Sequence, residues 1–469
     1  MNDPLHSQVE GLEFESPLVK RLGWFKLIIP FFKLMFAKEG LIPGQLLSDY
    51  LKKHFKKRDI FLESARQFGT PQYFYDQPAL LDRIRIFHEA FSRNIPRYKS
   101  YYALKSNCFP LILKDVVKQG MNLDASSGRE LLMALNTDAE KILFSGPGKT
   151  DEELLLALDN CNRVTLLIDN FNELSRLAEL IKKTNPKHVL DVGVRVRGNN
   201  KGKWEKFGIS LDELLMFTEK VIETEGVVFR GVQSHSSWNM NPSRHVSMLE
   251  NVGEYLMKYL PAHTLKALCF IDIGGGFWPE QGEWLNSKNL PIAKVADALG
   301  QDIALKDSHY YNPSLPIEKF AESIGECLLS LPEPVRNLEL YMEPGRWISN
   351  PAMHILLRVL DKKGTKSVIT DGGINLLGWE RPLTEFIPVI NLTRFQMKEY
   401  FLKIYGSLCA PEDQWGDSVF GEDVVPGDIL LVPDQGAYTY SFRQAFIKPV
   451  AQVIRYDGAS LEQVERQTV

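Results

Sequence analysis

Cysteine is scarce and scattered in this chain. Its 469 residues hold five, Cys108, Cys161, Cys269, Cys327 and Cys409. The number is odd, no two form a CxxC pair, and none shows a metal-ligand spacing. That excludes a disulfide framework and a zinc site, sets the expectation that no metal is bound, and points to a reducing, cytoplasmic compartment. Long basic runs are also missing. With a formal net charge of -4 and no long basic run, nothing supports a nucleic-acid partner. No apolar run reaches the roughly 20 residues that a membrane-crossing helix needs. The nearest, residues 24–36, is rich in aromatics but interrupted by Lys26, Pro30 and Lys33. It begins too late for a signal peptide and has no small-residue cleavage site. It reads as an added helix packed on the main body rather than as a membrane anchor. Finally, no GxGxxG follows an early strand, which weighs against an open dinucleotide-binding sheet.

What is present is ordinary in composition and long enough for two or three domains. Residues 1–68 read as a helical N-terminal extension, with a basic amphipathic piece at 50–58. Gly69-Thr70-Pro71 breaks the chain, and residues 72–76 alternate like a strand. Strand-like runs then recur at 101–104, 122–125, 142–144, 164–168, 192–196, 227–234, 269–273 and 338–342, with amphipathic helical stretches between most of them. Eight such strands predict a (β/α)8 barrel over 80–347. Useful polar residues stand at the C-terminal ends of these runs: Lys105, Asp124, Arg195, His235, Gly274 and Glu343. In a barrel those ends share one mouth. Beyond about residue 350 the runs at 366–370, 429–432 and 451–454 are separated by turns such as Pro426-Gly427-Asp428. They predict a mostly antiparallel β domain built from 69–79 and 348–469.

Three stretches carry chemistry. Tyr101-Tyr102-Ala103-Leu104-Lys105-Ser106-Asn107-Cys108 runs into Pro110 and a helical pattern, so it reads as strand, lysine, helix. A lysine at the mouth of a buried strand suits a Schiff base, because partial desolvation lowers its pKa. Ile271-Asp272-Ile273-Gly274-Gly275-Gly276 ends a strand on three glycines, whose backbone N–H groups can cradle a phosphate. Tyr341-Met342-Glu343-Pro344-Gly345-Arg346 brings a carboxylate and a guanidinium to the same mouth. The guanidinium fork matches phosphate oxygens. A plain tight turn and a structural Glu–Arg pair are the bland readings of the last two.

Taken together with Asp124-Ala125-Ser126-Ser127, Phe144-Ser145-Gly146-Pro147-Gly148-Lys149, Gly231-Val232-Gln233-Ser234-His235 and Gly436-Ala437-Tyr438-Thr439, these pieces resemble the alanine-racemase-like, fold type III pyridoxal-phosphate enzymes. Within that family the chain is similar to the ornithine and diaminopimelate decarboxylase branch, over roughly residues 70–455. The resemblance implies that Lys105 carries pyridoxal 5'-phosphate, His235 stacks on its ring and Glu343 meets the pyridine nitrogen. It implies that Gly274, Gly275, Gly276, Arg346 and Tyr438 hold the phosphate, and that Asp124 and Arg195 complete the network beneath the ring. Asp371 falls where the family approaches its substrate. Cys409 matches the loop cysteine that returns a proton after carbon dioxide leaves. In that family the loop crosses from a partner subunit, so a homodimer with shared sites is implied.

Some positions depart from the family pattern. An acidic residue usually follows the loop cysteine and reads a distal ammonium; here Ala410 follows, with Glu412 and Asp413 as shifted candidates. Arg381-Pro382 matches a carboxylate-reading pair, but Glu385 stands in the place of its companion tyrosine, and Ser237-Trp238 replaces Gly-Ser after the histidine. These changes suggest a diamino acid joined to a polar acid, as in the citrate-linked substrates of siderophore-assembly decarboxylases, with polyamine biosynthesis as a neighbouring possibility. The alternatives are decarboxylation of free ornithine, lysine or diaminopimelate, an amino-acid racemase, and a non-catalytic regulator on the same fold.

Overall fold

The computed structural model describes residues 40–184, 189–197, 203–286, 309–378 and 385–466. The aromatic stretch at 24–36 and the Arg381-Pro382 pair lie outside these residues. Eight parallel strands form the barrel: Tyr98–Ala103, Asn122–Ala125, Ile142–Phe144, Val164–Ile168, Leu190–Arg197, Val227–Gln233, Phe270–Asp272 and Glu339–Met342. Each pairs with the next, and the eighth pairs with the first through Leu340 with Tyr98 and Met342 with Ser100, which closes the ring. The first strand starts earlier than its pattern suggests and stops before Leu104, where the chain turns to present Lys105.

Nearly continuous burial along the strands reflects a sheet covered on both faces. Tyr101, Leu143, Leu167, Phe270 and Tyr341 form their own apolar cluster, apart from the main core. The rings of Phe270 and Tyr341 stack 4.4 Å apart. Phe270 explains two glycines on neighbouring strands: a Cβ at Gly231 would lie 2.5 Å from its ring, and one at Gly193 would lie 3.0 Å from it. Some of the helices between strands start at side-chain caps. Ser127 caps Gly128–Leu135, and Thr150 forms a capping box with Glu153 at Asp151–Asp159.

The β domain is a nine-stranded, mostly antiparallel sheet in which Gln72–Asp76 lies between Met353–Lys363 and Gln452–Tyr456. An added pairing between Met353–Lys363 and Ser367–Thr370 curls part of it into a closed ring. Helices Gly44–Phe55 and Arg58–Phe68 pack on this domain. Phe55 stacks on Phe395 at 4.0 Å, and Arg58 Nε donates to the Leu392 carbonyl at 2.6 Å. A separate small sheet joins Gly40–Leu41, His309–Asn312 and Glu283–Asn286. Among the described residues no helix is long and apolar enough to cross a membrane.

Candidate active site

The turn after the first barrel strand is held from both sides. Ala103 N–H donates to the Pro344 carbonyl (3.2 Å) and Leu104 N–H to the Asp124 carbonyl (3.0 Å). Asn107 Oδ1 accepts from Phe109 N–H (3.0 Å), and the helix Pro110–Lys118 follows. Between these anchors Lys105 extends its Nζ to 3.5 Å from Asp124 Oδ2. The expected fall in its pKa is not what the surroundings produce. Burial does oppose the ammonium, but the carboxylates of Asp124 and Glu343 outweigh burial and raise the lysine above its ordinary value. Asp124 is fully buried and accepts a short hydrogen bond from Ser145. Burial and the nearby charge of Glu343 push its carboxyl up to about 7.

Glu343 lies at the end of the eighth strand. Its Oε1 accepts from Gln233 Nε2 at 3.0 Å, and its Oε2 lies 3.2 Å from His235 Nδ1. Burial would raise its pKa, yet His235, Lys105 and Arg195 hold the carboxylate ionised and well below the usual range. Asp272 experiences the opposite balance. Burial and the charge of Glu343 push its carboxyl well up, and its Oδ2 has no hydrogen-bond partner among the described residues. Its Oδ1 accepts from Gly274 N–H at 2.8 Å. Arg195 is buried below the mouth with its guanidinium 4.3 Å from the centre of the Phe207 ring.

The glycine turn leaves no room for side chains. A Cβ at Gly275 would come within 2.2 Å of the Glu343 carbonyl, and one at Gly276 within 2.2 Å of the Ser236 carbonyl. Gly274 and Gly276 also take φ of +67° and +80°, where glycine avoids the usual penalty. His245 fixes the turn from behind, its Nε2 2.9 Å from the Gly275 carbonyl.

One cleft of about 440 Å³ is lined by Lys105, His235, Gly276, Glu343, Arg346 and Tyr438. Trp238, Trp278 and Glu385 also line it. The Arg346 guanidinium lies 4.3 Å from the Trp278 ring centre and 5.0 Å from that of Tyr438. Its Nη1 is 3.6 Å from Glu385 Oε1. Trp238, at φ +54°, stacks towards Trp278 at the rim.

Other expected site residues are not in the lining of this cleft. Cys409 is exposed on the loop before Gln414–Phe420. Asp371 accepts from Thr70 Oγ1 (2.5 Å) and Arg358 N–H (2.9 Å). Glu412 is exposed. Asp413 is buried, and its two oxygens accept from Ile374 N–H (2.9 Å) and Leu408 N–H (2.8 Å). Sequence reasoning assigned no role to Gln233, His245, Asp272 or Trp278. Gln233 had a signal: it ends the strand Val227–Gln233 two residues before His235, and the C-terminal strand ends of a barrel share one mouth. His245 had none, because it reaches the glycine turn from a distant helix.

Residues 81–350 match the family described as "Pyridoxal-dependent decarboxylase, pyridoxal binding domain". A diaminopimelate decarboxylase of Bacteroides thetaiotaomicron is 26% identical over 394 residues, covering 80% of this chain and 92% of the relative. An L-glutamyl-[BtrI acyl-carrier protein] decarboxylase of Niallia circulans is 24% identical, over 81% of this chain and 86% of the relative. The fold matches a diaminopimelate decarboxylase of Helicobacter pylori solved with L-lysine, at TM-score 0.71 and 20% identity, over 87% and 97% of the two chains. It also matches a lysine/ornithine decarboxylase of Vibrio vulnificus solved with putrescine, at TM-score 0.68 and 21% identity, over 86% and 98%.

Proposed function

Because the chain belongs to the pyridoxal-dependent decarboxylases, we propose that it removes the α-carboxylate of a diamino acid whose distal nitrogen is joined to a carboxylate-bearing acid such as citrate. The observation that carries the decarboxylase site is the gathering, in one cleft, of Lys105, His235, Glu343, Gly276, Arg346 and Tyr438. These residues fit pyridoxal phosphate. Glu343 is buried yet ionised, as a partner for a protonated ring nitrogen must be. The glycine turn excludes side chains and leaves backbone for a phosphate, with Arg346 and Tyr438 beside it. Pyridoxal phosphate, when bound, supplies a conjugated ring that accepts the electron pair left as carbon dioxide departs.

This chain's residues do the rest. Lys105 must shed a proton before its amine can react with an aldehyde, and Asp124 Oδ2, 3.5 Å away, holds that nitrogen in place. Gln233 and His235 fix both oxygens of Glu343, so its charge does not turn away from the ring site. Trp278 and Tyr438 flank Arg346 and hold its fork towards the cleft. Cys409 would protonate the product carbon from the partner subunit of a homodimer.

Two features support the conjugated substrate. Ala410 offers no charge to a distal ammonium, and Asp413 is committed to two backbone amides. The Niallia circulans relative is named for an amino acid joined to a carrier. One contact favours a second reading. Glu385, 3.6 Å from Arg346, gives the cleft a negative charge, and the distal ammonium of free diaminopimelate would match it. Carbon dioxide release from citrate-linked diamino acids, ornithine, lysine and diaminopimelate separates the two. The conjugate should lead in kcat/KM by about a hundredfold, on the scale set by an unpaired buried charge. A free diamino acid that wins, and loses its lead on Glu385→Gln, would establish the second reading instead.

A further inference from the structure

Far from the chemistry, His54, His354 and Asp434 form a buried cluster where the Gly44–Phe55 helix meets the β domain. His54 Nε2 lies 3.4 Å from Asp434 Oδ2. His354 Nδ1 accepts the Asp434 N–H at 3.0 Å, which commits that nitrogen to the backbone. Asp434 opens the loop that carries Tyr438 into the cleft, and both residues adopt left-handed backbone, at φ +51° and +63°. Non-glycine residues keep such angles only where surroundings enforce them. The same loop is tied to the lysine turn, since Asn107 Nδ2 donates to the Gly436 carbonyl (2.8 Å) and Tyr438 N–H to the Ser106 carbonyl (2.7 Å).

We propose that His54 is a positioning residue, a latch by which the Gly44–Phe55 helix sets the loop 433–438 and so the grip of Tyr438 on the cofactor phosphate. Asp434 is buried, and among the described residues that pair with its carboxylate His54 Nε2 lies at 3.4 Å and His354 Nδ1 at 3.8 Å. Removing the imidazole leaves that charge buried and free to turn the loop. Asn107 and Ser106 would pass the shift to Lys105. The inference rests on the reading of Tyr438 as a phosphate ligand.

The test measures the dissociation constant of pyridoxal phosphate, by visible circular dichroism of the bound form, beside the melting temperature of the cofactor-free protein. His54→Ala should weaken cofactor binding about tenfold and alter the dichroic band, an affinity change of roughly 1.4 kcal/mol. Asp434→Asn should do the same, and the double variant should be no worse than either. His54→Gln, which keeps an N–H donor, should lie closer to wild type than His54→Ala. Cofactor affinity within twofold of wild type in both single variants, with an unchanged band, overturns the latch. Should His54→Ala fail to fold, Asp434→Asn decides alone by the same criterion. Tyr438→Ala separates the two levels: weak binding there but not in the latch variants leaves the site and removes the latch, whereas normal binding there removes the phosphate role itself. One equivalent of metal in the purified protein, with cofactor affinity lost on chelation, would replace the latch with a metal centre.

Discussion

At Glu343, burial and charge act against one another. The side chain is almost wholly removed from water, and it stays ionised because His235, Lys105 and Arg195 surround it. Glu343→Gln removes the charge and keeps the shape. The cofactor should remain bound while decarboxylation slows by about a hundredfold or more, measured as single-turnover carbon dioxide release. Near-wild-type turnover would remove Glu343 from the mechanism. His245 gives a pH signature. Burial lowers its pKa from 6.5 to about 4, and only the Gly275 carbonyl favours its charged form strongly enough to be felt. The folded protein therefore prefers the neutral ring. Its contribution is complete above pH 6.5 and declines as pH falls towards 4, by about 3 kcal/mol in total. Melting temperature should fall over that window in the wild type. In His245→Asn the fall should be shallower, though the starting value is lower, since the Gly275 contact is weakened. Two profiles of equal slope would show that His245 is not the titrating group.

The element that carries Cys409 is the turn between Glu399–Tyr405 and Gln414–Phe420. Its sequence suggested that Asp413 reads substrate. In the fold, Asp413 sits against Gly373 and Gly406 and accepts from Ile374 and Leu408, so it sets the shape of the turn that carries Cys409. Asn has one acceptor oxygen where Asp has two. Asp413→Asn should cost about 1–3 kcal/mol for the amide left unpaired. It should also speed alkylation of the exposed Cys409 thiol, because the turn loosens. Unchanged stability and labelling would mean that the backbone holds the turn unaided. The same comparison shows why this element was hard to read. An acid four residues after a loop cysteine looks the same in sequence whether it faces substrate or its own backbone.

For the whole molecule, the separation of Cys409 from the cleft lined by Lys105 matters most. A homodimer with sites shared across the interface predicts complementation. Lys105→Ala and Cys409→Ala subunits should each be inactive for decarboxylation. Mixed in equal amounts they should recover about a quarter of wild-type activity, because half of the dimers are hybrid and each hybrid has one complete site. No recovery after verified subunit exchange would place both residues of a site on one chain. Size-exclusion chromatography with light scattering gives the subunit count independently.

The sequence by itself determined the barrel and the chemistry at its mouth. Strand runs with glycine or a polar residue at their C-terminal ends can be read locally, because each strand's burial pattern and each turn's residues are set within a few positions. The barrel topology then brings Lys105, His235, Gly276 and Glu343 to one opening. What only the tertiary structure decided is how charge is shared there. Lys105 reads as a lysine with a lowered pKa until Asp124 and Glu343 are seen beside it. His245 reaches Gly275 from a distant helix, Glu385 meets Arg346 across the cleft, and His54 meets Asp434 from an N-terminal helix. The balance between desolvation and Coulomb attraction depends on distances of a few ångströms between residues far apart in the chain, and no local pattern encodes them.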